Sequence, residues 1–246
     1  FITWIPADAD THVLSQLKGL GTAGYILYPQ NFRDIDEVKD LTASLKKLPP
    51  HRGSGYIIEP FLCADQEGGR VSAFRFREFG LLPSAFMLGS LQDRALIEAS
   101  ARLNALQLAH LGINMNLAPV ADIYDQGDET IIGDRSFGKD VQWVSEAVEA
   151  YVNGLKTAGI ISTLKHYPGH GITNVDTHGA LPLVYYSLHE LRQKELIPFI
   201  RGIEAGAPVV MAAHILYPFI DPDNPASLSY TLITKLLREE LDFDGI

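Results

Sequence analysis

A short segment near the middle of the chain combines histidines, an aspartate, glycines and prolines. Residues 162–182 read STLKHYPGHGITNVDTHGALP. Asp176 and His178 are two positions apart, so in an extended segment the carboxylate can lie against one imidazole nitrogen and leave the other free. Such a pair can transfer protons near neutral pH, because the aspartate fixes the tautomer and stabilises the charged ring. The alternative is that Asp176 caps a turn and His178 is an ordinary loop residue.

Polar residues end several of the apolar runs in the sequence. Asp65 ends FLCAD, Lys165 and His166 end IISTLKH, and His214 ends VVMAAH. A carboxylate, a cation and an imidazole suit hydrogen bonds to the hydroxyl and carbonyl groups of a polar ligand. Arg135, in the segment DRSFG, adds a planar group with several donors. These side chains are therefore candidates for ligand binding.

More ordinary roles remain open for several of these residues. Glu67 and Arg70, in ADQEGGRV, can form an ion pair within their loop. Asp134 and Arg135 can belong to a surface loop, and His214 can be a histidine at the edge of the core. Spacing alone does not separate these alternatives.

Four residues of the central segment are of types that bind metal ions: His166, His170, Asp176 and His178. His166 and His170 have the i, i+4 spacing of a helical metal pair. Pro168 lies between them and disfavours a helix there. We therefore expect neither a metal nor a cofactor.

The elements that must position these residues alternate between two patterns. Polar, helix-like stretches repeatedly end at a glycine that starts an apolar run, at Gly24, Gly55, Gly112, Gly159, Gly206 and Gly245. Glycine is typical of the position after a helix, where the backbone often becomes left-handed. The junctions at 112, 159 and 206 are 47 residues apart, which suits one strand, one helix and their loops.

Helical signals lie between these junctions. Leu96, Ala99, Leu103 and Leu106 form one apolar stripe, which predicts an amphipathic helix with that stripe as its apolar face. Two pairs have the spacing of helix-entry capping residues, Asp34 with Glu37 and Ser187 with Glu190. Short strands that alternate with such helices predict a parallel sheet covered by helices.

The sheet is predicted to form a (β/α)₈ barrel rather than an open, doubly wound sheet. Neither GxGxxG nor GxxxxGK[ST] occurs, although a phosphate-binding turn is typical of the open sheet. Asp65, Asp122, Lys165, His166 and His214 all follow strands, and in a barrel all strand ends face one mouth. Five strands are evident, with another near ITWI and one beginning at Gly245. We therefore expect a single α/β barrel domain over residues 1–246 whose last strands are missing.

Composition excludes several classes of partner. The chain has 20 basic and 30 acidic residues, a net charge of −10, so nucleic acids and anionic membranes would be repelled. Cys63 is the only cysteine, which excludes an internal disulfide. No apolar run is long enough for a membrane span, and the first residues do not resemble a signal peptide. The compartment is left undetermined, with the cytoplasm favoured.

Seven segments in order resemble a known family: DQEGGRV (65–71), NLAPVADI (116–123), DRSFG (134–138), KHYPGHG (165–171), DTH (176–178), AHILYP (213–218) and PASLSYTLITKLLREELDFDG (225–245). This set resembles the β-N-acetylglucosaminidases of glycoside hydrolase family 3. The resemblance implies a (β/α)₈ barrel that removes a terminal, non-reducing N-acetyl-β-D-glucosamine with retention of configuration. The partner would then be a small carbohydrate ending in that sugar.

The resemblance also implies roles for individual residues. His178 would be the general acid/base and Asp176 would orient it. The residues that would hold the sugar are Asp65, Arg135, Lys165 and His166, with His214 as a further candidate. The nucleophile of the family is an aspartate directly after the FDG[VI] segment, which here ends at Ile246.

The nucleophile is therefore expected after Ile246, and the 246-residue chain alone is expected to be inactive, because His178 cannot serve as both acid/base and nucleophile. Two alternatives remain. One is a non-catalytic sugar-binding barrel or a remnant of one. The other is an N-acetylglucosaminide phosphorylase, since a histidine acid/base would not repel phosphate as a carboxylate would.

Overall fold

The structure is a computed structural model that describes residues 2–6, 22–48, 59–124, 131–173 and 181–246. Its strands are β1 (Ile2–Trp4), β2 (Gly24–Ile26), β3 (Phe61–Ala64), β4 (Gln66–Gly68), β5 (Val71–Ser72), β6 (Met115–Asn116), β7 (Ile161–Tyr167) and β8 (Val209–Ala212). Six of them form one parallel sheet in the order β1-β2-β3-β6-β7-β8, while β4 and β5 form a separate antiparallel pair.

The strand order distinguishes a barrel from an open, doubly wound sheet. Each strand of the sheet pairs with the next one along the chain, and the order never reverses. An open doubly wound sheet reverses its order at a switch point, whereas a barrel adds strands in one direction. The sheet is curled into part of a barrel, so the predicted α/β, incomplete-barrel fold is confirmed.

Helices follow the strands as the alternation predicted. They are α1 (Ile35–Lys46), α2 (Ala85–Ser90), α3 (Arg94–His110), α4 (Val141–Lys156), α5 (Leu188–Gln193), α6 (Ile197–Glu204) and a π-helix (Thr231–Glu240). Both predicted capping residues act as such: Asp34 accepts from the Glu37 N–H, and Ser187 forms a capping box with Glu190. None of these helices combines the length and apolar character needed to cross a membrane.

Two apolar clusters lie on opposite faces of the sheet. The inner face carries Cys63, Met115, Leu117 and Val209, which pack inside the curl. The outer face belongs to a larger cluster that includes Leu62 and Leu164 and packs against the helices. Because side chains alternate between the faces of a strand, one strand contributes to both clusters, as Leu62 and Cys63 do. Burial on both faces explains the continuous apolar runs in the sequence.

Three of the predicted glycine junctions have the expected backbone. Gly112, Gly159 and Gly206 have φ angles of +79°, +72° and +93°. Gly24 is required for a different reason, because a Cβ atom there would lie 2.3 Å from the Phe61 carbonyl oxygen on the neighbouring strand. Gly55 lies outside the described residues.

The predicted apolar face of α3 is wrong. Leu96, Leu103 and Leu106 are 41%, 50% and 51% exposed, and Ala99 is also exposed. The buried face consists of Ile97, Ala101, Asn104, Ala105 and Leu108. Helix α4 approaches this face so closely that a Cβ atom on Gly154 would lie 2.6 Å from the Ala101 Cβ atom. Two helices can approach this closely only where the side chains are small, so the stripe that contains the alanines is the buried one. Periodicity alone did not show which stripe is buried.

We expect Gly154→Ala to lower the free energy of unfolding by about 1–3 kcal/mol, because the added methyl group overpacks the contact between α3 and α4. Alanine favours a helix by only about 1 kcal/mol over glycine, which does not offset the clash. Chemical denaturation measures the change. As a control, Gln142→Ala at an exposed position of α4 should change stability by less than about 0.5 kcal/mol. Equal stability of the two variants would contradict the close contact.

Candidate active site

A cavity of about 440 Å³ opens at the carboxyl ends of the strands. Five of the seven predicted site residues line it: Asp65, Arg135, Lys165, His166 and His214. The other two, Asp176 and His178, lie outside the described residues. The apolar part of the lining includes Ile26, Leu117 and Met211 from the inner face of the sheet. A mixed wall of this kind suits a ligand with both polar groups and apolar C–H surface.

Lys165 lies at the centre of an ion network in the cavity. Its side chain is only 2% exposed, and its Nζ atom lies 2.7 Å from Asp65 Oδ1 and 2.5 Å from Glu67 Oε1. Arg135 binds Glu67 with two parallel bonds, from Nε to Oε2 and from Nη2 to Oε1, each 2.8 Å long. Glu67 therefore holds both cations in place.

The two cations keep Glu67 ionised. Burial raises the pKa of this carboxyl group, but the charges of Lys165 and Arg135 and their hydrogen bonds outweigh burial and lower the pKa to about 2. Burial lowers the pKa of Arg135, but the hydrogen bond and charge of Glu67 outweigh burial, so the net shift of this pKa is upward. Both shifts favour the charged forms of Glu67 and Arg135.

The ion pair between Glu67 and Arg70, considered from the sequence, does not form. Arg70 instead donates from Nε to Asp134 Oδ1 over 2.6 Å and from Nη2 to the Ile131 carbonyl oxygen over 2.7 Å. Arg70 and Asp134 remain exposed, whereas Arg135 turns inward. Glu67 is thus a site residue that the sequence reasoning did not select, although its position beside Asp65 after a strand was the available signal.

Lys165 and His166 both reach the cavity although they are neighbours on β7. Successive side chains of a regular strand point to opposite faces. The register between β7 and β8 shifts between Lys165 and Tyr167, and such an irregularity redirects a side chain. The sequence indicated a strand end here but not this local change in direction.

His166 is paired with Asp122, which the sequence placed after a strand but to which it gave no role in the site. The Asp122 side chain is fully buried, and its Oδ2 atom lies 2.6 Å from His166 Nδ1. Asp122 follows β6 on the segment that pairs with β7, where the Ala121 N–H donates to the Lys165 carbonyl oxygen over 2.7 Å. This backbone pairing brings the carboxylate beneath the imidazole.

The remaining polar lining comes from Tyr28 and His214. Burial raises the pKa of Tyr28, and the charge of Asp65 raises it further. His214 is exposed, and its Nδ1 atom lies 2.7 Å from Ser227 Oγ, which fixes the ring at the side of the cavity nearest β8. Tyr28 had no motif in the sequence that pointed to it.

His170, weighed from the sequence as a metal ligand, is buried beside His166, with ring centroids 5.5 Å apart. Within the described ranges, no three histidine, cysteine, aspartate or glutamate side chains are arranged to hold a metal ion. The described cavity residues are instead suited to binding hydroxyl groups through carboxylates, cations and an imidazole.

Known proteins with related sequences and structures carry the same fold. A β-hexosaminidase of Stenotrophomonas maltophilia is 40% identical over 231 residues, which are 91% of this chain and 65% of that protein. The chain thus spans slightly less than two thirds of that relative's length. NagZ from Neisseria gonorrhoeae, solved with N-trifluoroacetyl-D-glucosamine, superimposes with a TM-score of 0.90 at 31% identity, covering all of this chain and 72% of NagZ.

A second solved structure is equally similar. It is a glycoside hydrolase family 3 β-N-acetylglucosaminidase from Paenibacillus, with a TM-score of 0.91 and 33% identity, and this chain covers 46% of it. The family model described as the glycosyl hydrolase family 3 N terminal domain matches residues 5–246. The strand order and the cavity at the strand ends agree with these similarities. The chain therefore belongs to glycosyl hydrolase family 3.

Proposed function

We propose that the protein is a retaining exo-glycosidase that hydrolyses terminal, non-reducing N-acetyl-β-D-glucosamine. The observation that carries the proposal is the convergence of Asp65, Arg135, Lys165 and His166 on one cavity in a chain of this family. The buried Glu67 holds the two cations. The names of its relatives supply the sugar: they are a β-hexosaminidase, a β-N-acetylglucosaminidase and a NagZ solved with an N-acylated glucosamine.

The cavity supports sugar binding by its paired charges. Asp65 can accept hydrogen bonds from hydroxyl groups, and Lys165 and Arg135 can donate them to oxygen atoms. Because Glu67 is bonded to both cations, the donors are held in position before the ligand arrives. Preorganisation of this kind lowers the entropic cost of binding.

In the proposed mechanism, His178 donates a proton to the glycosidic oxygen while a carboxylate attacks the anomeric carbon. The bond to the leaving group breaks and a covalent glycosyl-enzyme forms. His178 then takes a proton from water, whose oxygen attacks the same carbon and releases the carboxylate. Asp176 orients the imidazole and stabilises its charged form. The two displacements together retain the anomeric configuration.

We place the nucleophilic carboxylate after Ile246, as the resemblance of the sequence to the family implied. The acidic side chains in and directly behind the described cavity already have partners: Asp65 and Glu67 bind Lys165, and Asp122 binds His166. The 246-residue chain alone is accordingly proposed to have no turnover.

Hydrolysis is favoured over phosphorolysis by the charge balance of the cavity. Within the described part of the chain, Lys165 and Arg135 are both neutralised by carboxylates, so neither offers an uncompensated charge to a phosphate ion. A phosphate acceptor would have to displace these partners, which costs free energy.

The full-length protein is expected to release 4-nitrophenol from 4-nitrophenyl N-acetyl-β-D-glucosaminide and to yield the β-anomer first, as followed by proton NMR. The matching glucoside serves as a control for recognition of the acetamido group and should react much more slowly. An α-anomeric first product would overturn retention. Sugar 1-phosphate as the main product in phosphate buffer would favour a phosphorylase, and binding without turnover would favour a non-catalytic barrel.

A further inference from the structure

Asp122 is a fully buried carboxylate that does not line the cavity. Both of its oxygen atoms are used. Oδ2 lies 2.6 Å from His166 Nδ1, Oδ1 accepts from the His170 N–H over 2.7 Å, and the His166 N–H lies 3.2 Å from each oxygen. Burying a carboxylate costs free energy unless its oxygen atoms accept hydrogen bonds. Both oxygen atoms of Asp122 do so, and this fixes the carboxylate relative to His166.

The hydrogen bonds of Asp122 determine which nitrogen of His166 carries the proton. An ionised carboxylate has only acceptors, so the Nδ1 atom beside it must donate. On the other side of the ring, Arg135 Nη2 lies 3.3 Å from His166 Nε2. Arginine has only donors, so Nε2 must accept. Two neighbours on opposite sides of the imidazole therefore require the same neutral tautomer.

The surrounding charges also favour a neutral imidazole. The groups that face His166 are Asp122, Arg135, Lys165 and His170. Burial lowers the pKa of His166, and although the charge and hydrogen bond of Asp122 raise it, the two cations lower it again. Asp122 stays ionised because burial, which raises its pKa, is outweighed by His166 and by the hydrogen bonds it accepts.

We propose that Asp122 is a positioning residue that holds His166 as the Nδ1–H tautomer, so that Nε2 is a hydrogen-bond acceptor. Nε2 faces Arg135 in this structure, and a hydroxyl group of the ligand would take the place of Arg135 as its donor. The identity of that hydroxyl as one of a sugar rests on the proposed function, whereas the tautomer does not. His166 then selects for a ligand that has a hydrogen-bond donor at this point.

The same carboxylate fixes the backbone of the turn after β7. It binds the N–H groups of His166 and His170, which lie at the two ends of the segment that contains Pro168 and Gly169. An asparagine cannot replace it, because a carboxamide offers one oxygen atom where two are used. In Asp122→Asn, either Nδ1 or a backbone N–H must face an NH₂ group.

The tautomer can be measured directly in the chain labelled with ¹⁵N-histidine. Long-range proton–nitrogen NMR spectra distinguish a protonated from an unprotonated ring nitrogen. The chain has eight histidines, so the His166 signals are identified by their loss in His166→Gln. We expect a protonated Nδ1 and an unprotonated Nε2 at neutral pH. A protonated Nε2, alone or in a charged ring, would overturn the proposal whether or not the protein is a glycosidase.

A double-mutant cycle in the full-length protein separates positioning from general stability. Asp122→Asn should raise KM for the glycoside about 10-fold or more, since hydrogen bonds to charged groups contribute about 1.5–3 kcal/mol. Because Asp122 acts through His166, adding this change to His166→Gln should raise KM much less than it does in the wild-type protein. If the two changes raise KM independently, so that their effects multiply in the double variant, Asp122 does not act through His166 and its role is in folding alone. Asp36→Asn, an exposed change of the same chemistry, is the control.

Discussion

His178→Ala should lower kcat of the full-length protein by about two to four orders of magnitude, which is the usual contribution of general acid/base catalysis. The physical reason is that the glycosidic oxygen must gain a proton as its bond breaks, and the water of the second step must lose one. The effect should be largest for substrates with poor leaving groups, because a 4-nitrophenolate departs with little protonation. Steady-state kinetics on both kinds of substrate measures this difference.

His189→Ala is a matched control for the loss of an imidazole. His189 is exposed on α5 and bonds only to Gln193 on the same helix among the described residues, so its removal should leave kcat unchanged. Near-normal turnover of His178→Ala on poor leaving groups would remove this residue from the proposed role. A loss in both variants would indicate damage to folding rather than to proton transfer.

Glu67→Gln should lower the free energy of unfolding at neutral pH by about 3–5 kcal/mol, because removing one member of a buried ionic network leaves the others uncompensated. Glutamine has nearly the same shape, so the change is one of charge. Arg135 would lose its carboxylate partner, and Lys165 would keep only Asp65. Urea denaturation of the chain measures the effect, and we also expect weaker sugar binding because the two donors are no longer held.

The difference in free energy of unfolding between wild type and Glu67→Gln depends on pH, and the pKa of Glu67 determines how. Its folded value of about 2 lies below the ordinary 4.5, so the folded state binds this proton less readily than the unfolded chain. The stabilisation is complete well above pH 4.5 and is lost as the pH falls towards 2. The stability difference between wild type and Glu67→Gln should therefore shrink by about 1 kcal/mol at pH 4.

Glu240→Gln tests whether any lost ion pair would give the same result. Glu240 pairs with Arg192 at 2.6 Å, but both side chains are about half exposed. Exposed pairs contribute less than about 1 kcal/mol, so this variant should be close to wild type. Similar stability losses in Glu67→Gln and Glu240→Gln would show that burial of the network has no special effect.

Local features were the most predictable from the sequence. Asp34 and Ser187 cap their helices through residues three positions away, and Gly112, Gly159 and Gly206 follow helices in the left-handed backbone conformation. These features depend on neighbours within one helical turn. The placement of Asp65, Lys165 and His214 at one mouth also followed, because all strands of a parallel sheet end at the same edge.

The sequence by itself therefore determined the alternation of strands and helices, the barrel, and the edge at which the polar residues gather. The roles of Asp176 and His178 stay predictions, since both lie outside the described residues. Only the tertiary structure decided the partners. Glu67 bonds to Arg135, 68 positions away, and Arg70 bonds to Asp134, 64 positions away, instead of to each other.

The choice of the buried face of α3 was also decided in three dimensions. Both stripes of this helix are apolar, and the one with Ala101 is buried because α4 approaches it at Gly154. In the same way, Asp122 became a partner of His166 only when β6 and β7 paired. The physical reason is common to these cases: spacing along the chain determines local backbone structure, whereas ion pairs and close contacts depend on which distant segments the fold brings within a few ångströms.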